Sequence, residues 1–365
     1  MVSLSIEVHT TKTPLSAERR AELMSNPAFG RIFTEHMLTI PYRRSSGWGS
    51  AELGPYRPIQ MDPAASVLHY GQSVFEGFKA FRQIDDSIAT FRPEANALRF
   101  QASARRLAMP ELPVEAFIDT ADALIRHERS WVPSGRGRSL YIRPLLVATE
   151  PGLGVKPADD YLFVLFGSPA GSYFRDGVQP VSVWICEDYS RAAPGGTGAI
   201  KCSGNYAASL IAQDQAVAHD CEQVVWLDAV SRRNVEEMGG MNIFFVYSGG
   251  TKSKLVTPRL TGSLLPGVTR DSLLRLGADL GYEVQEQTVT LEQWIADATS
   301  GEMTEAFACG TAAVITPIGA IKSTQTQVTM GGGGTGPVAQ RLRDCLLDVQ
   351  YGVSPDTHGW MHPVC

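Results

Sequence analysis

The sequence predicts a mixed α/β (α+β) chain of two domains, and three observations carry that expectation. Strand-like and helix-like segments alternate through the 365 residues without the strict strand–helix–strand order of a doubly wound sheet. A stretch at 168–180, with Pro169, Gly171, Gly177 and Pro180, interrupts the pattern. Beyond it the pattern starts afresh. The expected division is an N-terminal domain over 1–168, an interdomain loop over 169–180 and a C-terminal domain over 181–365.

Taken in order, the first 30 or so residues are polar and read as an arm or short helix. Strand-like pieces follow over 61–92, centred on VLHYGQSVFEGFKAF and continued by IATF. Residues 93–109 read as a helix, with Pro93 and Glu94 at its start, Leu98, Ala102 and Leu107 on one face, and Pro110 ending it. A second helix at 115–131 spaces Ile118, Ala121, Leu124 and Ile125 helically. The segments 139–149 (SLYIRPLLVAT) and 160–168 (DYLFVLFGS) are rich in β-branched and aromatic residues and read as buried strands. Past the loop, VSVWIC is a strand, and the turn-rich APGGTGAIKCSGN leads into a helix at 205–219. Strands at 223–228 and 242–248, a helix GVTRDSLLRLGADLG and a strand EVQEQTVT come next. EAFACGTAAVITPIGAI reads as strand, turn and strand, and 336–350 as an amphipathic helix.

Composition excludes several classes. Hydrophobic residues make up 44% and charged residues 19%, which suits a folded core. The net charge of −6 and the absence of a basic run argue against a nucleic-acid partner. No stretch approaches the length of a membrane span, and MVSLSIEVHTTKTPLSAERR lacks the apolar centre of a signal peptide. The six cysteines are irregularly spaced with no CxxC pair, so reduced thiols in the cytoplasm are expected, with no disulfide frame and no metal site.

Arginine outnumbers lysine 25 to 7, so a lysine among small apolar residues stands out. Lys201 follows Gly195, Gly196, Thr197 and Gly198 and precedes Ser203, Gly204 and Asn205, where a helix is expected to begin. Desolvation there lowers an amine's pKa, as a Schiff-base lysine requires. A surface lysine in a flexible loop fits composition as well, and Lys79 in FEGFKAF is a rival. In VEEMGGMN, Glu236 or Glu237 turns inward if strand alternation persists, and a buried carboxylate needs a cationic partner. Pro266 and Gly267 lead into a helix whose first amides, at Val268 and Thr269, suit a phosphate, and Gly310 and Thr311 offer an amide and a hydroxyl. Ordinary turns explain both equally. Alternation places Tyr141 and Arg143 on one strand face, where Arg143 needs an anion, structural or substrate-borne.

Together these segments resemble the branched-chain aminotransferases of pyridoxal-phosphate fold type IV. HYGQSVFEGFKAF, FRPEANALRF, YIRPLL, KCSGNYAAS, EEMGGMN, LPGVTR, GTAAVITP and GPVAQRLRDCLLDVQYG occur in that family's order and approximate spacing, over about residues 29–362. The likeness is strongest to actinobacterial members.

The resemblance implies a smaller N-terminal domain and a larger cofactor-binding C-terminal domain, assembled as a homodimer. It implies that Lys201, not Lys79, forms the Schiff base with pyridoxal 5′-phosphate and shuttles the α-proton. Tyr206 matches the residue that bonds the cofactor's phenolic oxygen, Glu237 the pyridine-nitrogen partner, and Arg99 the phosphate-binding arginine, with Val268, Thr269 and Thr311 completing the cradle. Tyr70, Arg143 and the amides of Thr311 and Ala312 match the substrate-carboxylate region, with Tyr141 beside Arg143. Phe29, Phe75 and Tyr173 match aromatics of the side-chain pocket.

The implied substrates are L-leucine, L-isoleucine and L-valine, their 2-oxo acids, and the 2-oxoglutarate/glutamate pair. Ala313 and Thr316 stand where mammalian members carry a CxxC pair, and Gly240 where some relatives have threonine. The run GGGG at 331–334 is expected to be a mobile loop. A D-amino-acid aminotransferase or aminodeoxychorismate lyase of the same fold type is the nearest rival. A non-catalytic phosphate-binding module, which forms no lysine adduct, is the rival from another class.

Overall fold

Residues 5–171, 179–248 and 253–365 are described by the structure, a computed structural model. The chain divides into two compact units, one of Met1–Tyr173, Lys201–Ser203 and Leu347–Cys365, the other of Phe174–Ile200 and Gly204–Leu346.

The first unit carries one ten-stranded sheet among its described residues. Its centre is the long antiparallel pair Ser139–Ala148 and Asp160–Ala170, in register from Ser139↔Ala170 to Ala148↔Tyr161. These strands form where β-branched and aromatic residues concentrate, and Leu140, Ile142, Leu146 and Phe163 are fully buried. His36–Arg43 and Ala51–Pro55 extend the sheet on one side, Phe78–Arg82 and Ile88–Phe91 on the other. Helices Pro93–Arg106 and Val114–His127 meet the sheet through Phe100, whose ring lies 5.6 Å from Phe117 and 5.9 Å from Phe163.

Several expectations need correction here. The first of these helices buries Ala97, Phe100 and Ala104, whereas Leu98 is 52% exposed and Ala102 is exposed. Two stripes were available, and the one bearing the large aromatic ring takes the core. Ser66–Tyr70 is a short helix rather than a strand, ended by Gly71 in the left-handed region (φ 62°). The helix expected at 205–219 is two pieces, Ser203–Ala207 and Leu210–Ala218. Strands His36–Arg43 and Ala51–Pro55 and helix Leu291–Ser300 were not anticipated.

The division at 181–365 also needs correction. Met361–Pro363 pairs antiparallel with Ile88–Phe91, so the end of the chain belongs to the first unit. The expected loop at 169–180 starts inside a strand that runs to Ala170, and 172–178 lie outside the described residues.

The second unit carries a nine-stranded sheet that closes on itself, because Val235–Met238 pairs with both Gln223–Leu227 and Met241–Tyr247. Val181–Cys186, Val314–Lys322 and Met303–Gly310 complete the circuit. Inward-facing Ile243, Phe245, Val225 and Ala308 pack with Trp294 of helix Leu291–Ser300. Gly331–Gly333 form a short 3-10 turn rather than an open loop.

Candidate active site

In the first unit the backbone of Lys201 is clamped on two sides. The Phe75 amide donates to the Lys201 carbonyl (3.0 Å), and the Lys201 amide donates to Ser103 Oγ (3.0 Å). The side chain places its amine 4.9 Å from the centre of the Phe75 ring. Loss of water around the amine, and then the Arg99 guanidinium, push its pKa down, with Glu76 and Tyr141 opposing. Lys201 thus holds an amine with a lowered pKa, not a loop cation in open water.

Two guanidiniums share this region. Arg99 is held by Glu76 through Nε–Oε1 (2.7 Å) and Nη2–Oε2 (2.8 Å). Arg143 lies 4.8 Å over the Phe75 ring and donates to the Tyr141 hydroxyl at 3.1 Å. No carboxylate pairs with Arg143 among the described residues, and its buried Nε has no hydrogen-bond partner. Among the described residues, then, the structural ion pair left open by the sequence does not form, which suits an anionic ligand. Phe29 packs edge-on against Tyr141 at 4.9 Å.

In the second unit both Glu236 and Glu237 are buried, so alternation did not expose either. Glu237 accepts from Arg191, from Asn242 Nδ2 (3.1 Å) and from the Leu265 amide (2.9 Å). It lines a small cavity with Tyr206 and Gly240, and a side chain at Gly240 would meet the Tyr206 ring at 3.3 Å. Glu236 accepts from Ser263 Oγ on the wall of a different cavity, where burial pushes its pKa up.

Helix Val268–Asp279 starts at Gly267 with no side-chain cap. Asn242 reaches the loop before it, donating to the Leu265 carbonyl at 3.0 Å. A Cβ at Gly267 would lie 2.0 Å from Asn242 Oδ1, so the approach requires glycine. Thr311 and Ala312 form the turn between Met303–Gly310 and Val314–Lys322, closed by Val314 at φ 66°, a strained value for a β-branched residue.

The family model described as amino-transferase class IV matches residues 73–321, which contain most of these groups. A probable branched-chain-amino-acid aminotransferase of Streptomyces coelicolor is 56% identical over 363 residues, covering 99% of each chain. This chain is a class IV aminotransferase.

Solved structures agree. The branched-chain amino acid aminotransferase of Escherichia coli superposes with a TM-score of 0.76 at 27% identity, over 91% of this chain and 100% of that one. The Thermobaculum terrenum enzyme, solved in its PLP-bound holo form, superposes with a TM-score of 0.73 at 25% identity, over 91% and 99%. The fold is the mixed α/β architecture of fold type IV.

Each unit holds groups that suit part of a phosphorylated pyridine aldehyde: in the first an amine short of water and a guanidinium, in the second a helix start without a side-chain cap and a buried carboxylate supplied with three donors. Of the residues singled out from sequence, Lys201, Arg99, Phe75, Tyr141, Arg143 and Phe29 gather in the first unit. Tyr206 and Glu237 share a cavity in the second. Val268 and Thr269 are tied to Glu237 through Asn242 and Leu265. Tyr70 stands apart from the first group, its hydroxyl donating to the Leu153 carbonyl at 2.5 Å. Tyr173 lies outside the described residues.

Sequence reasoning missed Glu76, Ser103, Arg191 and Asn242. Glu76 and Asn242 sat inside quoted motifs, where their own chemistry could have been asked about. Arg191 and Ser103 are brought in only by folding.

Proposed function

We propose that this class IV aminotransferase transfers the amino group of L-leucine, L-isoleucine or L-valine to 2-oxoglutarate in two half-reactions, with pyridoxal 5′-phosphate as cofactor. The observation that carries the reading is the Lys201 amine, short of water and set beside Arg99 and Arg143. Two relatives support it. One is the 56% identical protein named for branched-chain amino acids. The other is a 29% identical branched-chain amino acid aminotransferase, solved as a complex with N-(5′-phosphopyridoxyl)-L-glutamate.

When bound, pyridoxal phosphate supplies an aldehyde to take up the amino group and a ring to accept the electrons of the Cα–H bond. Lys201 would hold the cofactor, and its Nζ would take the proton from the substrate Cα and deliver it to the carbon that carried the cofactor's aldehyde. Glu237 sets a negative charge at the pyridine nitrogen, and Tyr206 bonds the phenolic oxygen. Arg99, Val268, Thr269 and Thr311 hold the phosphate. Arg143, with Tyr141 and the amides of Thr311 and Ala312, receives the substrate carboxylate, while Phe29 and Phe75 line an apolar pocket that excludes water.

The enzyme works as a homodimer in the cytoplasm, its second unit being the cofactor domain although the first is the longer in residues. Exposed Leu68, Tyr70, Leu153 and Val155 support an interface there, and the six free thiols support a reducing compartment. Tyr70 reaches the partner's active site.

The test is borohydride trapping and turnover. Incubation with pyridoxal phosphate and reduction should leave the cofactor on the peptide containing Lys201, and Lys201→Ala should lose both the adduct and turnover of L-leucine with 2-oxoglutarate. An unlabelled protein would overturn the reading. Turnover of D-amino acids only would keep the cofactor and replace the substrate.

A further inference from the structure

Residues 75–77 form a brace under the region just described. The Phe75 amide holds the Lys201 carbonyl, and the Glu76 amide donates to the Pro144 carbonyl (2.9 Å) on the strand that carries Arg143. Gly77 donates to Glu76 Oε2 (3.1 Å), and a Cβ there would lie 1.7 Å from the Tyr141 hydroxyl. Only glycine fits, so the backbone on both sides of Glu76 is fixed.

Glu76 itself is fully buried (0% exposed). Its two carboxylate oxygens meet Nε and Nη2 of Arg99 in a parallel fork, at 2.7 and 2.8 Å. A fork of this kind fixes the plane and rotation of a guanidinium, which a single contact or a lysine would not. It engages Nε and Nη2, and Nη2 also lies 3.5 Å from Asn96 Oδ1. A buried cation so held has lost its rotamer freedom before any ligand arrives, and its charge is balanced meanwhile.

We propose that Glu76 is a positioning residue for the cofactor's phosphate: its two oxygens hold Nε and Nη2 of Arg99 and so fix the orientation in which the guanidinium meets the phosphate. The inference rests on the reading of this chain as a pyridoxal-phosphate enzyme with Arg99 at the phosphate. The action of Glu76 through Arg99 is read from the part of the affinity that depends on the phosphate.

The experiment uses the apo form of the full chain, titrated with pyridoxamine 5′-phosphate and, separately, with pyridoxamine, following protein fluorescence. Neither ligand bonds covalently to Lys201. Glu76→Gln should weaken pyridoxamine 5′-phosphate roughly tenfold to a hundredfold, the worth of a charged hydrogen bond, and leave pyridoxamine unchanged.

Equal weakening of both ligands, or no weakening of either, would overturn the assignment. If Glu76→Gln gives no cooperative melt, Glu76→Asp serves. It keeps the anion but is too short to reach both nitrogens, and should show the same phosphate-dependent loss in smaller size. Wild-type protein that binds neither ligand brings down the cofactor reading and this inference with it. Binding without the phosphate-dependent difference brings down the inference alone.

Discussion

Arg143 shows how a single side chain records an absent ligand. Its guanidinium lies between the Phe75 and Tyr141 rings, at 4.8 and 5.4 Å, with a buried Nε that no group among the described residues satisfies. Such a donor costs about 1–3 kcal/mol in the free protein. Arg143→Met is therefore expected to raise the melting temperature of the ligand-free protein while raising KM for both the amino acid and the 2-oxo acid. A variant that melts lower and keeps wild-type KM would show the guanidinium to be structural. The sequence made Arg143 conspicuous, because a cation inside SLYIRPLLVAT needs an anion, but only the fold shows that no carboxylate among the described residues answers it.

Helix starts and helix ends decide the next scale. Helix Val268–Asp279 begins against Asn242, with room for no atom beyond hydrogen at Gly267. Gly267→Ala should displace the helix start, destabilise by about 1–3 kcal/mol through overpacking, and weaken cofactor binding in the same variant. Melting curves of the apo protein and a pyridoxamine 5′-phosphate titration check both. A variant with normal affinity would detach this helix from the phosphate.

At the end of helix Val114–His127, Glu128 is buried against His36 and Glu35. His36 Nε2 accepts from the Thr11 amide (2.9 Å), which leaves Nδ1 to donate to Glu128 at 2.5 Å. Burial, and then the Glu35 charge, push the Glu128 pKa from 4.5 up to about 7. The folded state therefore holds a proton that the unfolded chain releases, so this stability is present below the unfolded value and is lost as pH rises to about 7, at about 1.4 kcal/mol per unit. Glu128→Gln keeps an acceptor for His36 and removes the titration. Its melting temperature should gain on wild type as pH rises from about 5 to about 7. Parallel curves for the two proteins would rule out this linkage.

At the scale of the whole chain, its last residues finish the first sheet. Trp360 is buried, T-shaped on Phe91 at 5.6 Å and stacked on His358 at 4.3 Å, with Arg92 5.4 Å from the ring centre. Trp360→Ala should cost about 3–5 kcal/mol, the usual range for a large buried aromatic. Calorimetry and limited proteolysis should show the loss as opening of the first unit. If cleavage instead began in the second unit, the tail would have a role other than completing this sheet.

Local chemistry made much of this protein legible in one dimension. The strands 139–149, 160–168 and 181–186, the helices after Pro93 and Gly267, and the motif around Lys201 follow from β-branched runs, helical spacing, caps and breakers, which act over a few residues. The same rules hid His36–Arg43, where neither alternation nor turn signals were strong, and they ranked the wrong stripe of helix Pro93–Arg106.

Other features depend on residues far apart in sequence. Glu76 meeting Arg99, Arg191 meeting Glu237, Ser103 meeting Lys201 and residues 361–363 pairing with 89–91 are contacts across many intervening residues. A short window carries no record of them, since a buried charge or an unpaired strand edge states that a partner is needed and leaves its identity to the fold.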